Sequence, residues 1–433
     1  MLNSQGSLNR LGANLRNPYG PSAASLNLDF TASNTLDSRI SFTRATTATY
    51  FNSSGVLSTA ASGEARFDYN PTTLAPQGLL IEEQRTNSIR NNTMVGAVAG
   101  TPGTNPTNWD ITVSPSGITT EIVGTGVEDG ITYIDVRYFG TGSGSASPQI
   151  RPETTTGIVA AAGQTWTASY YLRIVGGSTT GLSAFSQIWQ ERDAAGVALN
   201  TVTVTISAPT TAALKTQRSI LTRTLTDAGT ARLTNRIQWT FTNGVAVDIT
   251  LRIGLPQLEL GAFATSVIPT TTTALTRNAD AASMTGTDFS SWYNQTEGTF
   301  VVNFAIPNAT DSRSQLTAGD GTANERIIIT NSSSLAGTAF RVVDGGSDQC
   351  DISRSQSFAN NATVKVAGAY KVNDFAISQN GGSVGTDTSG TLPTVTTLFI
   401  GTNGVAQYSN SYISRIAYYP VRLANTTLQA LTA

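Results

Sequence analysis

Two short runs of the sequence bring together side chains that could hold a sugar. In "AFSQIWQER", β-strand alternation places Gln187, Trp189 and Glu191 on one face. In "WTASYYLRIV", the same alternation turns Tyr171 and Arg173 outward, away from an apolar face. Aromatic rings offer flat apolar surfaces, and amide, carboxylate and guanidinium groups form hydrogen bonds with hydroxyls. We therefore predict a glycan-binding site at these five residues; the alternative is that Trp189 packs at a rim or a subunit interface.

The other tryptophans are predicted to be structural. Trp166 and Trp239 each lie on the apolar face of an alternating strand and are assigned to the core. Trp109 and Trp292 begin two strand-rich regions, where each is expected to cover one end of a core. Trp189 is thus the tryptophan with polar neighbours on its own face.

Residues for hydrolytic chemistry are sparse. The chain has no histidine, which removes Ser-His-Asp and Cys-His catalysis. Glycan hydrolysis would need two carboxyl groups, and the adjacent Glu82 and Glu83 point to opposite faces if they lie on a strand. A pair of distant acids brought together by folding stays open. We predict that the protein is not an enzyme.

Metal binding is considered at "VDGGSDQCD", which supplies Asp344, Asp348 and Asp351 between glycines. Calcium takes loop carboxylates and carbonyls, but this spacing matches no calcium motif, so a solvated turn is the preferred interpretation and calcium the alternative. Cys350 alone cannot form a zinc site and is expected to be a small buried residue. No cofactor is predicted.

Composition narrows the class of protein. The 433 residues carry 26 Lys and Arg against 28 Asp and Glu, and only 12% are charged. Without a basic excess, the phosphate neutralisation that drives nucleic-acid binding is missing, so no nucleic-acid partner is expected. No run of about 18 apolar residues predicts a membrane helix, and the first residues lack the apolar centre of a signal peptide. With a single cysteine, we expect a soluble protein made in a reducing cytoplasm.

Short alternating runs between Gly, Asn, Pro and Thr clusters predict an all-β fold. The final run, "RLANTTLQALTA", predicts a helix with Asn425 as its N-cap. The predicted divisions are an arm over 1–25, a β module over 26–93, a jelly-roll sandwich over 94–268, a linker over 269–281 and a second antiparallel sandwich over 282–433.

Three runs carry a resemblance to a known group of proteins. "FTRATTATYFNSSGVLSTAASGEARFDYNP" followed by "GLLIEEQRTN" resembles a module of tailed-bacteriophage virion proteins, including head spike and head fibre proteins. "LPQLELGAFATSVIPTTTTALTRNADAASMTG" resembles the junction between sandwiches in the same group. "DFAISQNGGSVGTDTSG" with "ISRIAYYPVRLANTTLQALTA" resembles the last strands and terminal helix of a laminin-G or concanavalin-A-like domain.

The resemblance implies a virion structural and adhesion protein that displays glycan-binding sandwiches on the particle surface. It implies attachment to capsid or tail proteins through the N-terminal region, host-surface glycans as ligands, and a homotrimer. A head fibre, spike or decoration role is preferred, and a tail fibre or receptor-binding protein is the alternative. A polysaccharide depolymerase is a further alternative, although the Glu-x-Asp-x-x-Glu pattern of concanavalin-A-like glucanases is absent from residues 282–433.

Overall fold

The computed structural model describes residues 23–112, 117–143, 147–307, 312–332, 336–405 and 407–433. Antiparallel β-strands form nearly all of its regular structure, which confirms the predicted all-β class. Most of the predicted arm over residues 1–25 lies outside the described residues. Within the described ranges, no helix is long and apolar enough to cross a membrane.

Seven short strands come first along the chain. They are β1 (Leu26–Asp29), β2 (Ser41–Thr43), β3 (Ala48–Phe51), β4 (Leu57–Ala60), β5 (Phe67–Tyr69), β6 (Pro76–Ile81) and β7 (Arg85–Asn87). Between β3 and β4, "NSSG" forms the predicted tight turn, in which the Gly55 amide donates to the Asn52 carbonyl at 2.8 Å. Gly55 has a φ of +69°, which glycine adopts without a side-chain clash.

The middle of the chain forms a sandwich of two antiparallel sheets. Its strands are β8 (Asp110–Thr112), β9 (Ile118–Glu128), β10 (Ile131–Thr141), β11 (Gln149–Arg151), β12 (Ile158–Val159), β13 (Thr165–Gly177), β14 (Leu182–Arg192), β15 (Ala198–Thr205), β16 (Arg218–Thr224), β17 (Arg232–Phe241) and β18 (Ala246–Leu260). One sheet has the order β16-β13-β18-β10-β9; the other has the order β15-β14-β17-β11-β8, with β12 beside β17. Trp166 and Trp239 are buried in the core of this sandwich, as predicted.

The rest of the chain builds a second, larger sandwich. Its elements are β19 (Leu275–Arg277), β20 (Ala281–Thr285), α1 (Thr287–Ser290), β21 (Glu297–Ala305), β22 (Arg313–Gly319), β23 (Arg326–Asn331), β24 (Thr338–Asp344), β25 (Ser347–Arg354), β26 (Thr363–Lys371), β27 (Phe375–Gln379), β28 (Gly385–Asp387), β29 (Thr397–Ile400), β30 (Ser411–Tyr419) and α2 (Asn425–Thr432). Its two sheets have eight and seven strands. Aromatic rings pack against one another within its largely aliphatic core, where the ring centroids of Phe300 and Tyr418 lie 4.7 Å apart.

The predicted boundary between residues 26–93 and 282–433 does not separate two sets of sheets. The eight-stranded sheet runs β28-β27-β26-β21-β30-β6-β5, and β1 also pairs with β30. The seven-stranded sheet begins with β2, which pairs with β20. The β module was predicted as a unit of its own because its strands are local in sequence, whereas β1, β2 and β6 pair with strands more than 200 residues away. The two segments form one sandwich.

The predicted linker over residues 269–281 is also ordered by pairing. β19 pairs with β7, and Thr276 lies opposite Thr86 with their hydroxyls 2.7 Å apart. Arg277 and Asp280 at the end of this segment are fully buried. Its Thr-rich composition resembles an extended linker, but its backbone hydrogen bonds go to a strand near residue 86.

The C-terminal helix is confirmed, with a different cap. α2 packs through Leu428 against the outer side of the eight-stranded sheet. Ala424, not Asn425, precedes the first helical residue, and its carbonyl accepts from the Leu428 amide at 3.1 Å. The side-chain Oδ1 of Asn425 accepts instead from Arg422 Nη1 at 2.7 Å, which removes it from the capping role.

A buried ionic cluster joins the three parts of the chain. The Arg66 side chain has no solvent exposure; its Nη2 lies 2.5 Å from Asp280 Oδ2 and its Nη1 lies 2.7 Å from Glu82 Oε2. Arg44 Nη1 contacts the other Asp280 oxygen at 2.9 Å, and Arg277 Nη1 contacts Glu82 at 2.8 Å. Buried charges are tolerated when each is paired and hydrogen-bonded, as all five are in this cluster.

The middle sandwich is tied to the same cluster. Ser266, which follows β18, donates its amide to Glu82 Oε1 and its hydroxyl to Glu82 Oε2, both at 2.7 Å. Asp280 Oδ2 also accepts from the Glu82 amide at 2.9 Å. Residues from the N-terminal strands, the predicted linker and the end of the middle sandwich therefore share one set of charges.

We predict that Asp280→Asn is strongly destabilising. The substitution leaves the buried Arg44 without a contacting carboxylate and leaves Arg66 to share Glu82 with Arg277, and breaking a buried pair in this way costs about 3–5 kcal/mol. The measurement is urea unfolding of the purified variant. The matched control is Asp348→Asn, which breaks the exposed pair with Arg341 and should cost less than about 1 kcal/mol. Equal losses in the two variants would contradict the structural role of the cluster.

Candidate functional site

The structure places Trp189, Gln187 and Glu191 on one face of β14, as predicted, but that face points into the core. All three side chains are about 1% exposed. The expected exposed aromatic platform at Trp189 is therefore wrong. Trp189 packs in the same cluster as Trp239 and Phe185, because this face of β14 meets the opposing sheet of the sandwich.

The two polar residues beside Trp189 find hydrogen-bond partners inside the protein, although Gln187 Oε1 has none among the described residues. Glu191 Oε2 accepts from the Thr226 and Asp227 amides, both at 2.9 Å, and from the Thr230 hydroxyl at 2.7 Å. Gln187 Nε2 donates to Asn235 Oδ1 at 3.3 Å. Glu191 thus holds the loop between β16 and β17.

Tyr171 and Arg173 do turn away from the core of the middle sandwich, as predicted. Tyr171 is nevertheless only 2% exposed, because it belongs to a small second core with Leu214 and Val267 that the β3–β4 hairpin covers. Arg173 Nη1 contacts Glu128 Oε1 at 2.7 Å. Alternation identified the outward direction, and the covering hairpin comes from a distant part of the sequence.

The acidic run around Cys350 forms a hairpin of β24 and β25. Asp348 pairs with Arg341 at 2.6 Å, and Asp344 accepts from the Thr391 hydroxyl. In the described part of the chain, no group of three or more His, Cys, Asp or Glu residues could hold a metal ion. Cys350 is buried, as predicted, and burial raises the pKa of its thiol to about 12.

A cleft of about 380 Å³ lies where the N-terminal strands, the middle sandwich and the C-terminal sandwich meet. We call it the junction cleft. Five aromatic residues line it: Tyr50, Phe51, Tyr171, Phe263 and Tyr412. Tyr50, Phe51 and Tyr412 are partly exposed, whereas Tyr171 and Phe263 are buried. Tyr171 is thus the one predicted glycan-binding residue that the structure brings to this cleft.

Polar groups of several kinds surround these rings. Lys215 and Arg218 supply positive charge, and the Arg218 guanidinium lies 5.7 Å from the centre of the Tyr171 ring. Amide side chains come from all sides of the junction, at Asn70, Gln77, Asn361 and Asn410. Such a mixture of apolar faces and hydrogen-bonding groups in a concave site at a domain junction is typical of small-ligand binding.

Two carboxyl groups in the junction cleft differ in their environments. Burial raises the pKa of Asp68 to about 7, although the Phe51 amide at 2.6 Å and the charge of Arg66 oppose the shift. Burial also acts on Glu82, but Arg277, Arg66 and the hydrogen bonds from Ser266 overcome it and hold the pKa at about 2. One acid therefore exchanges protons near neutral pH while the other stays ionised.

The partners of Glu82 limit what this pair can do. A glycosidase needs one acid to protonate the leaving group and a second carboxylate that is free to attack or to activate water. Both Glu82 oxygens already accept hydrogen bonds from Ser266 and Arg66, and Arg277 forms an ion pair with Oε2. The arrangement favours ligand binding over hydrolysis. Glu82 and Glu83 also separate as the sequence suggested, since Glu83 pairs with Arg313 at 2.9 Å in a different ion cluster.

Sequence reasoning missed Asp68 and Tyr412 as site residues. Asp68 alternates in β5 with the core residue Phe67, and an acid beside a core residue on a short strand was a usable signal. Tyr412, the second residue of β30, lies more than 300 positions away and gave no such signal. Burial together with the charges of Asp68 and Glu82 raises the pKa of Tyr412 well above that of an ordinary tyrosine.

Comparisons with known proteins give no family. No protein-family model matches the chain, and no curated protein matches it. Among solved structures, it matches the CBM40 of Ruminococcus gnavus IT-sialidase bound to alpha2,3 sialyllactose, with 17% identity and a TM-score of 0.29 over 32% of this chain and 84% of that one.

Two further matches are of the same kind. The NanB sialidase of Streptococcus pneumoniae gives 13% identity and a TM-score of 0.30 over 34% of this chain and 26% of that one. A SAP-like pentraxin from Limulus polyphemus gives 14% identity and a TM-score of 0.25 over 32% and 70%. These identities and TM-scores are too low to assign a ligand to this chain by comparison. Its fold class rests on its own strand pairing.

We predict that Asp68→Asn stabilises the protein increasingly as the pH rises. The pKa of Asp68 is higher folded than unfolded, so the wild type loses stability between about pH 4 and about pH 7. Asparagine keeps an oxygen for the Phe51 and Tyr69 amides and carries no charge. Urea unfolding at about pH 5 and about pH 8 should show the advantage of the variant growing by on the order of 2 kcal/mol.

The control for this prediction is Asp351→Asn, a substitution of an exposed acid on β25. Its effect on the free energy of unfolding should change little over the same pH range. A constant difference between Asp68→Asn and wild type would mean that the Asp68 carboxyl is not held protonated in the folded protein.

Proposed function

We propose that this chain is a glycan-binding structural protein of a bacteriophage particle, with the junction cleft as its sugar site. The single observation that supports it best is the lining of that cleft, where partly exposed tyrosines lie among amide and charged side chains. The chain would stand on the particle surface after synthesis in the host cytoplasm, as a head fibre, spike or decoration protein. A tail-fibre role would use the same cleft.

The chemistry of the cleft fits a saccharide. A sugar ring has an apolar face that packs on an aromatic ring, and hydroxyls that both donate and accept hydrogen bonds. Tyr50 and Tyr412 offer the rings, and Gln77, Asn361 and Asn410 offer both donors and acceptors. The walls belong to sheets joined by the buried ionic cluster around Arg66, so the site is formed before the ligand arrives.

The virion part of the proposal rests on the resemblance of residues 42–71, 78–87 and 255–286 to phage virion proteins. The N-terminal region would attach to capsid or tail proteins. A homotrimer repeated over the particle would multiply weak single-site binding through effective concentration, by about 10²-fold or more. Weak binding per cleft is then sufficient for adhesion to a host surface.

A depolymerase is the second candidate, because Asp68 and Glu82 line one cleft with pKa values of about 7 and about 2. Such a separation is the arrangement found for acid and base pairs in glycosidases. The hydrogen bonds that occupy both Glu82 oxygens argue for a structural role instead. Release of reducing ends from a bound glycan would show that the protein hydrolyses it.

We predict that Tyr50→Ala weakens glycan binding. The wild-type protein is screened on an array of bacterial surface polysaccharides, and the ligand found is titrated into wild type and variant by calorimetry. Loss of a stacking ring should weaken binding by at least about fivefold, or about 1 kcal/mol. Phe139→Ala, which removes a partly buried ring on β10 outside the cleft, is the matched control and should bind as wild type does. No binding on the array, or equal binding by Tyr50→Ala, would contradict the proposal.

We also predict that the protein is an elongated trimer in solution. Light scattering should give the mass of three chains, and negative-stain electron microscopy should show a particle longer than it is wide. A compact monomer would contradict the fibre or spike role while leaving glycan binding by the cleft open to the array.

A further inference from the structure

A second surface of the middle sandwich carries more positive than negative charge. Because Trp189 and Trp239 point into the core, the residues that alternate with them on β14 and β17 point to the opposite side of the same sheet. We call this side the outer face. It contains Gln190 and Arg192 from β14 and Arg236 from β17.

Three arginines meet on the outer face. The register that pairs Ile150 with Ile237 brings Arg151 of β11 beside Arg236. Arg192 approaches from β14, and its Nη2 and Arg236 Nη1 both donate to the Gln190 carbonyl oxygen. Like charges directly opposite on neighbouring strands are destabilising. One neutral amide oxygen is thus shared by two guanidinium groups.

Negative charge near these arginines comes from Asp110, whose Oδ2 lies 2.6 Å from Arg151 Nη1. In the described part of the chain, Arg192 and Arg236 form no ion pair with a carboxylate. Burial, followed by the charges of Arg151 and Arg192, lowers the pKa of Arg236 to about 10. Burial and the charge of Arg151 lower the pKa of Arg192 as well. The cluster therefore holds more positive than negative charge at a partly buried place.

The arginines also retain unused donors. Arg151 is only 9% exposed, and its Nε has no hydrogen-bond partner among the described residues; the Nε of Arg236 is likewise buried without one. A guanidinium presents its donors as a planar fork that matches a carboxylate. An anion at this place would pair with the fork and relieve the repulsion within the cluster.

We propose that the outer face around Arg151, Arg192 and Arg236 is a second binding site, for a saccharide that carries carboxylate groups. The hydroxyls of Thr201 and Thr203 on β15 extend the surface beyond the cluster and suit the neutral part of such a ligand. The site goes beyond the junction cleft and does not depend on it, since the two surfaces share no residue.

The absence of rings favours an acidic sugar over the other candidates. No aromatic side chain lies on the outer face of the described parts of β8, β11, β14, β15 and β17, so neither stacking of a neutral sugar nor stacking of nucleic-acid bases is available. Affinity must come from the guanidinium groups, and hence from negative charge on the ligand.

The test is calorimetric titration of the full chain at low salt with an oligogalacturonide and with a neutral maltooligosaccharide of the same length. We expect the oligogalacturonide to bind, the neutral sugar to bind at least about tenfold more weakly, and Arg236→Gln to lose at least about tenfold. Arg137→Gln is the matched control, because Arg137 lies on the other sheet and pairs with Asp248 and Glu121. It should bind as wild type does.

Further arms separate the outcomes. Arg236→Lys keeps the charge without the planar fork and should lie between wild type and Arg236→Gln. Thermal unfolding with and without the oligogalacturonide checks folding: the ligand should raise the Tm of wild type and not that of Arg236→Gln, and the two unliganded proteins should both unfold cooperatively. Tyr50→Ala should keep its affinity for the oligogalacturonide, which distinguishes this site from the junction cleft.

Three results would overturn the proposal. Equal affinity for the neutral and the acidic oligosaccharide would show that the carboxylate groups do not contribute to binding. Inorganic phosphate binding as tightly as the oligogalacturonide would show that the saccharide contributes nothing. Tighter binding of a short single-stranded oligonucleotide, lost in Arg236→Gln, would assign the outer face to nucleic acid instead.

Discussion

The pairing of Arg66 with Glu82 and Asp280 is the constraint on which the rest of the structure depends. A guanidinium with no solvent exposure is tolerable only while its counter-charges stay in place. Those counter-charges come from distant parts of the sequence, since Asp280 immediately precedes β20 and Glu82 immediately follows β6. Separating these segments would leave a bare buried charge, so the N-terminal strands, the segment 269–281 and the end of the middle sandwich are fixed relative to one another.

The same cluster explains the character of the junction cleft. The cations of the cluster keep Glu82 ionised. Fewer stabilising groups face Asp68, so the effect of burial dominates there and raises its pKa to about 7. One carboxyl group thus acts as part of the framework and the other as a hydrogen-bonding group that changes with pH. The rigidity of the walls and the chemistry of the lining have one cause, which is how the few charges of this chain are distributed among its buried positions.

Much of the fold could be predicted from local pattern. Two-residue alternation gave the strands and the inward direction of Trp166 and Trp239, and the C-terminal run gave α2. The errors share one origin, because alternation separates the two faces of a strand without saying which face another element covers. Polar neighbours suggested that Trp189 faced solvent, yet Glu191 and Gln187 find partners inside. Tyr171 does face outward from its sheet, and a hairpin from residues 48–60 covers it.

Long-range strand pairing could not be predicted from the sequence either. Nothing near residues 275–277 indicates that their partners are residues 85–87, and a Thr-rich segment without apolar alternation resembles a linker until that strand is placed beside it. On the outer face, residues that look ordinary in the sequence form an unusual arrangement in the fold. The interior arginines Arg66, Arg44 and Arg277 each contact a carboxylate, and in sequence Arg236 looks no different from them. Only the fold places Arg236 beside Arg151 and Arg192 with a single carboxylate, that of Asp110, in contact with the three guanidinium groups. Three like charges gathered at a partly buried place are the feature of this sheet that most needs a ligand to explain it.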